Sequence, residues 1–321
     1  MAVAFTFPGQ GSQAVGMGKD LADAFPEARR IFQEVDDALG ESLSKLIWEG
    51  PEETLTLTAN AQPALMAVSL AAIRALESRG FSLKDKVTYV AGHSLGEYSA
   101  LAAAGFVSVA DAARLLRIRG NAMQAAVPAG EGAMAAIIGL EQADVEAACA
   151  EAAQGAGPGA GKDSVCQIAN DNGGGQLVIS GTKAAVELAA RLCTEKGAKR
   201  ALMLQVSAPF HSALMAPAAN VMREALAGVT KNVPVVPVVS NVSVTPSIDP
   251  DEIARRLVEQ ITGRVRWRET VEWFGANGIT TLYEIGAGKV LSGLARRINR
   301  DIVTASVGSA ADVEAALAAL G

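Results

Sequence analysis

The stretch VTYVAGHSLGEYSALAAAG, residues 87–105, joins a short apolar run to an Ala-rich run through a turn flanked by glycines. The apolar residues 87–91 predict a buried strand, and the residues after Gly96 predict a helix. Between them Gly92, Ser94 and Gly96 form G-x-S-x-G, the pattern of a sharp turn that lifts a serine clear of its sheet. The stretch therefore predicts a strand-turn-helix unit with Ser94 as a candidate nucleophile, and the turn directs the backbone N–H of Leu95 at the space above Ser94.

The same alternation of strands and helices continues on both sides of this unit. Further strands are predicted at residues 3–7, 233–241 (VPVVPVVSN) and 280–288 (TTLYEIGAG), and further helices near residues 16–39, 61–80, 212–227, 251–260 and 267–277. Such alternation is typical of a parallel sheet that is covered by helices.

A different pattern interrupts this alternation. Strands are predicted at residues 133–140, 165–169, 177–180 and 200–204, and helices at residues 143–153 and 183–196. The order βαββαβ is that of a ferredoxin-like unit, with the Gly/Ala-rich QGAGPGAGK (154–162) as a flexible loop. We therefore expect an α/β fold in which one large domain, residues 1–126 and 205–321, carries an inserted subdomain, residues 127–204. The ligand cleft is expected between the two.

Composition limits the class of protein. With 321 residues, of which 50% are hydrophobic and 19% charged, the chain can bury a large core. Its apolar runs are too short to span a bilayer and its first residues lack a signal-peptide pattern, so we expect a cytoplasmic protein. Cys149, Cys166 and Cys193 have no CxxC spacing, which favours core positions over a disulfide framework or a zinc site. We expect no metal and no cofactor.

The net charge of −6 argues against nucleic acid as a partner, and no basic run with interleaved aromatic residues occurs. Two short basic clusters stand out nonetheless. They are Arg264, Arg266 and Arg268 in TGRVRWRE, and Arg296, Arg297 and Arg300 in LARRINR. Each cluster is either an ordinary solvated face or a docking surface for an acidic partner.

The loop after the first predicted strand, in FTFPGQGSQAVGMGKD (residues 5–20), has the spacing G-x-G-x-x-A. A dinucleotide-binding fold would place an acid after a second strand about 20 residues on, but residues 27–37 have helical periodicity. A phosphate-binding P-loop fails as well, because Asp20 follows Gly18 and Lys19 where Ser or Thr is required. The loop therefore offers exposed backbone N–H groups that can stabilise an anion or an oxyanion.

A serine nucleophile needs a base within hydrogen-bond reach, and the chain has only two histidines. His93 directly precedes Ser94, so its side chain should point away from the serine. His211, in SAPFHSALM, is therefore the predicted base. No carboxylate stands out as its partner: Asp249, Asp251 and Glu252 read as a turn and a helix start, and a backbone carbonyl is the alternative.

The helix DAARLLRIRGNAM places a charge among aliphatic side chains. At about 100° per residue, Arg119 falls at the centre of the apolar face that Leu115, Leu116 and Met123 define, opposite Arg114 and Arg117. A buried guanidinium without a partner costs several kcal/mol, roughly 3–5. Arg119 therefore pairs either with an acid of this chain or with a ligand carboxylate that its planar fork holds bidentately. In the second case the serine accepts an acyl group that ends in a carboxylate.

These motifs, taken in order, resemble one known family. FPGQGSQ, GHSLGEYSAL, RIRGNAMQ, NGGGQLVISG, FHSALM, VSNV and LVEQITGRVRW extend over nearly the whole chain. They are similar to those of the malonyl-CoA:acyl carrier protein transacylases and of the related acyltransferase domains of polyketide synthases. The resemblance implies an α/β-hydrolase-like domain with a ferredoxin-like insert.

The resemblance also implies roles for individual residues. Ser94 would take the malonyl group, His211 would be the general base and acid, and Arg119 would bind the malonyl carboxylate. The backbone N–H groups of Gln10 and Leu95 would form the oxyanion hole. Gln260 would hold the imidazole through its main-chain carbonyl. In the polyketide relatives, a bulky residue such as Phe210 before the histidine goes with malonyl rather than methylmalonyl.

The implied reaction is a ping-pong transfer of malonyl from malonyl-CoA, through a malonyl-serine ester, to the phosphopantetheine thiol of acyl carrier protein, for fatty acid or polyketide synthesis. The acidic carrier protein would dock on basic residues such as Arg264, Arg266, Arg296 and Arg297. Two other interpretations stay open. A serine esterase or thioesterase would pass the acyl group to water, and a carrier-protein-binding module would not become acylated.

Overall fold

The computed structural model describes residues 2–155 and 164–321. Its strands are β1 (Val3–Phe7), β2 (Tyr89–Gly92), β3 (Gly132–Ile138), β4 (Cys166–Asp171), β5 (Gln176–Thr182), β6 (Arg200–Met203), β7 (Val238–Val239), β8 (Pro246–Ser247), β9 (Thr281–Ile285) and β10 (Val303–Val307). Its helices are α1 (Lys19–Ala24), α2 (Pro26–Leu39), α3 (Leu43–Glu49), α4 (Glu52–Thr56), α5 (Thr58–Ser78), α6 (Leu83–Lys86), α7 (Leu95–Ala103), α8 (Val109–Ala125), α9 (Gln142–Gly155), α10 (Lys183–Glu195), α11 (Ala216–Ala227), α12 (Pro250–Thr262), α13 (Trp267–Ala276), α14 (Val290–Ile298) and α15 (Ala310–Leu320).

The larger sheet has six strands in the order β10-β9-β1-β2-β7-β8. Its first five strands are parallel, and β8 pairs with β7 in the antiparallel direction at the edge. The predicted parallel sheet is therefore confirmed, with one antiparallel edge strand. Because β1 and β2 are neighbours, the loops that follow them meet at the same end of the sheet, where open α/β sheets bind ligands.

The smaller sheet has four antiparallel strands in the order β4-β5-β3-β6. Helices α9 and α10 pack against it around a separate apolar core that includes Ile137, Ile168, Ile179, Cys149 and Cys193. All three cysteines are free thiols. The elements follow the predicted order of strands and helices, while most of the predicted Gly/Ala-rich loop, residues 156–162, lies outside the described residues.

Helices cover both faces of the larger sheet, as the sequence pattern predicts. On one face α5, α7 and α8 bury Ala, Leu and Val side chains against Phe5 and Phe7 of β1. On the other face Trp267, Val271 and Phe274 of α13 pack with Leu291 and Leu294 of α14. Helix α5 is buried along most of its length, which explains why its sequence is almost entirely apolar and small.

Prolines change two of the predicted elements. The helix expected near residues 16–39 is broken at Phe25, which has an extended conformation (φ −127°, ψ 112°) because the residue before a proline avoids the helical region. The strand expected at residues 233–241 is reduced to the two residues of β7, since Pro234 and Pro237 have no N–H to donate to a sheet. A third predicted element also differs: the helix expected from Ser212 begins as a 3₁₀ turn, Ala213–Met215, before α11.

A joint connects the smaller sheet to the body of the protein near the ends of β4 and α12. Asp171 N donates to Val265 O at 2.9 Å, and Val265 N donates to Ala169 O at 2.8 Å. The buried Asp171 carboxylate also accepts from Arg268 Nε at 2.8 Å. The two units therefore share backbone hydrogen bonds and an ion pair at this point, next to the residues that line the cavity described below.

Candidate active site

Ser94 lies at a strained turn between β2 and α7. Its φ of 53° and ψ of −110° lie outside the regions that a residue with a side chain usually adopts. A Cβ on Gly92 would lie 1.9 Å from the Gly96 carbonyl oxygen, and a Cβ on Gly96 would lie 2.1 Å from Phe7 O. Both glycines are therefore required because the turn folds back on itself and packs against β1.

The His211 imidazole faces this serine. Its Nε2 lies 2.7 Å from Ser94 Oγ, within the distance that a nucleophile and its base require. Burial, followed by the positive charge of Arg119, lowers the pKa of His211 from 6.5 to about 3. The ring is therefore neutral near pH 7 and is able to accept a proton. His211 itself has a positive φ of 54°, a strained conformation of the kind that occurs at functional sites.

Two backbone carbonyls hold the other side of the ring. His211 Nδ1 lies 2.9 Å from Gln260 O and 3.1 Å from Gly263 O. Because carbonyl oxygens only accept hydrogen bonds, Nδ1 carries the proton and Nε2 presents its lone pair to Ser94. Asp249 instead caps the far end of α12, where its side chain accepts from the backbone N–H groups of Asp251 and Glu252.

Arg119 is buried, with 1% of its surface exposed. Its Nη1 donates to Gln62 Oε1 at 2.8 Å, and its Nη2 donates to Gln260 Oε1 at 2.9 Å and to Ser94 Oγ at 3.0 Å. Among the ion pairs of residues 2–155 and 164–321, none includes Arg119. The guanidinium is thus hydrogen-bonded to uncharged side chains beside the serine, and its planar group can bind an anion.

Two residues that were not predicted as site residues, Asn241 and Glu97, form hydrogen bonds that hold the Ser94 turn in place. Asn241 accepts from Ser94 N at 2.8 Å and donates to Gly92 O at 2.6 Å. The buried Glu97 carboxylate accepts from Gln260 Nε2 at 2.8 Å and from Asn241 N at 3.1 Å. Burial raises the pKa of Glu97 to about 7. One indication of these contacts was present in the sequence, the acidic Glu97 in the otherwise apolar first turn of α7.

Two backbone N–H donors belong to residues that line the same cavity as Ser94. Within the described part of the chain, the N–H groups of Gln10 and Leu95 donate to no protein acceptor. Leu95 begins α7, where N–H groups lack intrahelical partners. A Cβ on Gly9 would lie 2.7 Å from His93 O, so glycine at this position lets the loop after β1 approach the turn. His93, whose side chain is expected to point away from Ser94, has its Nε2 2.9 Å from Asn172 Oδ1, and within the described ranges it forms no hydrogen bond with Ser94.

A cavity of about 430 Å³ opens above these groups. Its lining includes the predicted residues Gln10, Ser94, Leu95, Arg119, Phe210 and His211, together with Met134 and Val178 of the smaller sheet and Val290 and Arg297 of α14. The structure thus brings together the predicted nucleophile, base, arginine and loop in one cleft between the two sheets. Gln260 lies behind this lining, fully buried.

The candidate docking arginines have different surroundings. Arg264 forms an ion pair with Glu146 at 2.7 Å, and Arg266 forms one with Glu269, to which its Nε donates at 2.8 Å. Arg296 donates to Thr304 Oγ1 at 2.6 Å, while Arg297 is exposed at the cavity. The first two charges are therefore neutralised within the chain.

The described ranges, 2–155 and 164–321, hold neither a metal-binding cluster nor a membrane-spanning helix. No group of three or more His, Cys, Asp or Glu side chains there could hold a metal ion. No helix in those ranges is both long and apolar enough to cross a membrane.

The model of the acyl transferase domain family matches residues 4–308. The chain belongs to this acyl transferase family. It is 46% identical to the malonyl CoA-acyl carrier protein transacylase of Bacillus subtilis (strain 168) over 318 residues, 99% of this chain and 97% of the relative. It is 48% identical to the transacylase of the same name in Escherichia coli (strain K12) over 303 residues, 94% of each chain.

Solved structures place the acyltransferase fold over the whole chain. The acyl-carrier-protein-S-malonyltransferase from Bartonella henselae matches with a TM-score of 0.96 and 63% identity and covers 100% of both chains. A malonyl-transacylase in complex with a type II polyketide synthase acyl-carrier protein matches with a TM-score of 0.94 and 44% identity, over 99% of this chain and 100% of the other. The resemblance inferred from the sequence motifs is confirmed.

Proposed function

We propose that this chain transfers a malonyl group from malonyl-CoA to the phosphopantetheine thiol of an acyl carrier protein, through an ester on Ser94. The names of the relatives support both substrates. The observation that carries the proposal is the contact between Ser94 and two other groups, the His211 imidazole and the Arg119 guanidinium. This arrangement combines in one cavity a nucleophile, a neutral base and a cation that forms no ion pair within residues 2–155 and 164–321.

In the first half-reaction Ser94 Oγ forms a bond to the thioester carbonyl carbon, and its proton moves to His211 Nε2. The resulting imidazolium is stabilised by the carbonyls of Gln260 and Gly263, which accept from Nδ1. The carbon–sulfur bond then breaks, and the proton passes from His211 to the departing coenzyme A thiolate. General base catalysis of this kind contributes about 10²–10⁴-fold.

In the second half-reaction the thiol of the carrier protein replaces coenzyme A. His211 takes the thiol proton, the sulfur attacks the ester carbonyl carbon, and Ser94 Oγ leaves and recovers the proton. We assign the N–H groups of Gln10 and Leu95 to the oxyanion that forms in both halves, since neither donates to another protein group in the described chain. Each such donor is worth on the order of 10²–10³ in rate.

Arg119 selects the acyl group by its charge. A malonyl carboxylate can take both Nη atoms of the guanidinium bidentately, replacing the hydrogen bond to Ser94 and freeing the serine oxygen for attack. Phe210, largely buried in the cavity wall, limits the space beside the acyl group and favours malonyl over methylmalonyl. An acyl group without a carboxylate would leave the buried charge unpaired, which is costly.

The carrier protein, which is acidic, is proposed to dock where the cavity opens. Arg297 is exposed there, and its neighbour Arg296 forms no ion pair within the described ranges. Arg264 and Arg266 stay candidates, but their carboxylate partners, Glu146 and Glu269, make them weaker ones.

A cytoplasmic location of the protein also stays a prediction.

We propose two units for the fold. The first, residues 1–126 and 205–321, is α/β-hydrolase-like, which the parallel sheet and the serine turn after β2 support. The second, residues 127–204, is ferredoxin-like, which the strand order β4-β5-β3-β6 supports.

Intact-protein mass spectrometry after mixing with malonyl-CoA tests the function. We expect the mass of one malonyl group to be added, to be absent in Ser94→Ala, and to be lost when holo carrier protein is added, with malonyl appearing on the carrier. Loss of the added mass to water alone would indicate a thioesterase. No added mass in the unaltered protein would indicate a binding module and reject the transferase.

A further inference from the structure

A chain of buried and partly buried hydrogen bonds leads from the arginine to the loop after β1, residues 8–18. Arg119 Nη1 donates to Gln62 Oε1 at 2.8 Å. Gln62 Nε2 donates to Thr58 Oγ1 at 2.9 Å, and Thr58 Oγ1 donates to Gln10 Oε1 at 3.0 Å. Two residues without a role in the reaction described above, Thr58 and Gln62, therefore connect the carboxylate-binding group to a proposed oxyanion donor.

The guanidinium fixes the direction of every bond in this chain. Arginine has only N–H donors, so the amide oxygen of Gln62 must face Arg119 and its NH₂ group must face Thr58. The Thr58 hydroxyl then accepts from Gln62, and its own proton is left for Gln10 Oε1. Each group has one orientation that satisfies its neighbours, which is the condition under which a buried polar network rigidifies a site.

Packing fixes the same groups in place. Thr58 and Gln62 have 0% and 1% of their surface exposed. Gly120, next to Arg119 on α8, has no room for a side chain: a Cβ there would lie 2.6 Å from Ala59 Cα and 2.8 Å from Thr58 O. The close approach of α8 to the first turn of α5 therefore brings Arg119 within reach of Gln62.

Gln10 depends on this chain for its position. It is an exposed loop residue, and within the described ranges its one hydrogen bond is the bond from Thr58. Thr58 in turn is not needed to cap α5, because the N-cap is Leu57 and no side chain caps the helix. The Thr58 hydroxyl thus anchors the loop without an evident role in the stability of its own helix.

We propose that Thr58 is a positioning residue: its hydroxyl holds Gln10 so that the Gln10 N–H faces the oxyanion, and Gln62 links this anchor to Arg119. The inference rests on the proposed acyl transfer. Its physical content is that the arginine that binds the carboxylate and the loop that stabilises the oxyanion are parts of one hydrogen-bonded unit.

Thr58→Val removes the hydroxyl and keeps the shape of the side chain. We expect the rate constant for acylation of Ser94 by malonyl-CoA to fall about 10- to 100-fold, somewhat less than the roughly 10²–10³-fold cost of deleting an oxyanion donor. The KM for malonyl-CoA should change little, because the oxyanion exists only beyond the ground state. Thr58→Ser, which restores the hydroxyl, should recover most of the rate.

Thr54→Val in α4 is the matched control, since the Thr54 hydroxyl forms no hydrogen bond within the described chain. Rapid-quench mass spectrometry would give the acylation rates, and thermal unfolding would check that all variants fold. An unchanged rate in Thr58→Val, or an equal loss in Thr58→Ser, would overturn the proposal. If the unaltered protein is not acylated, the proposed function fails instead.

The link to Arg119 has its own measurement. The effect of Thr58→Val on the rate of acylation by acetyl-CoA should be smaller in an Arg119→Ala background than in the unaltered protein. In that background the hydrogen-bond chain has already lost Arg119, the group that orients Gln62. Equal effects in the two backgrounds would reject the link through Gln62.

Discussion

Arg119 Nη2 and Ser94 Oγ are 3.0 Å apart, so the candidate carboxylate ligand and the candidate nucleophile are in direct contact. In malonyl-CoA the carboxylate and the thioester carbonyl are attached to the same carbon atom. The carboxylate can therefore reach Arg119 while the carbonyl carbon reaches Ser94. The arginine is also the second cause of the low pKa of His211, after burial. One cation thus influences the substrate, the nucleophile and the base.

Replacing Arg119 should change substrate choice more than it changes chemistry. We expect Arg119→Ala to lower kcat/KM for malonyl-CoA by at least about 10²-fold, from the loss of a charge-assisted bidentate contact worth roughly 3 kcal/mol. Transfer from acetyl-CoA should fall much less. Parallel steady-state assays with the two donors would decide, and equal losses would remove the carboxylate clamp from the mechanism.

The rate of acylation should not fall as pH decreases through the ordinary pKa of histidine. Since His211 has a pKa of about 3 in the folded protein, it stays neutral and competent when an unperturbed imidazole would be protonated. The pH profile of acylation should therefore be flat from about pH 7.5 to about pH 5.5. A rate that halves near pH 6.5 would contradict this prediction.

The low pKa of His211 leaves the acylation rate unchanged in mild acid, but it makes the folded protein less stable there. The unfolded chain binds a proton at His211 below pH 6.5, whereas the folded protein does so only near 3. The free energy of unfolding should therefore decrease as the pH falls from 6.5 toward 3. Acid unfolding of the protein and of its His211→Ala variant, compared by circular dichroism, would show the difference.

Glu97 should make the protein less stable as pH rises. Its pKa is about 7 when folded and 4.5 in its ordinary range, so the unfolded state releases the proton first, and the free energy of unfolding falls between those two values. Glu97→Gln removes this loss and should be the more stable protein at pH 7.5, by about 3 kcal/mol at most. If the Tm difference between the two proteins does not depend on pH, Glu97 is not protonated in the fold.

Reversing the charge of Arg297 should weaken use of the carrier protein. We expect Arg297→Glu to raise the KM for the carrier about 3- to 10-fold, with no change in acylation at saturating malonyl-CoA, because like charges at an interface repel. Arg264→Glu is the control within the same chain, since Arg264 already has a partner in Glu146. A larger effect at Arg264 would move the docking surface to the other cluster.

The site residues that could be predicted are those that a local motif, an interrupted apolar face or a low residue count distinguishes in the sequence. The serine turn stands out because Gly92 and Gly96 have no room for a side chain, and Arg119 stands out because it interrupts an apolar helix face. His211 followed from a count of two histidines. Apolar periodicity predicted the parallel strands β1, β2, β7 and β9 and the helices that flank them, whereas β10 and α15 were not predicted.

What the sequence did not reveal depends on contacts between distant segments. Asn241, Gln62 and Thr58 are ordinary polar residues, and they matter only because α5, α8 and β7 bring them beside the turn. Similarly, the sequence left Arg264 and Arg266 open as either solvated or docking residues, and folding pairs Arg264 with the distant Glu146 while Arg266 pairs with Glu269, three residues along. Helix α14 was predicted only as a basic cluster, although its other side buries Leu291, Leu294 and Ala295.

The joint at Asp171 and Val265 matters for anyone who exchanges the smaller unit with that of another acyltransferase. Met134 and Val178 of that unit form part of the cavity wall, while Ser94 and Arg119 belong to the larger one. A chimera that keeps the strand ends but loses the Asp171–Arg268 ion pair would reposition one wall relative to the other. A segment to be exchanged between acyltransferases should therefore be chosen so that both Asp171 and Arg268 keep their ion-pair partner.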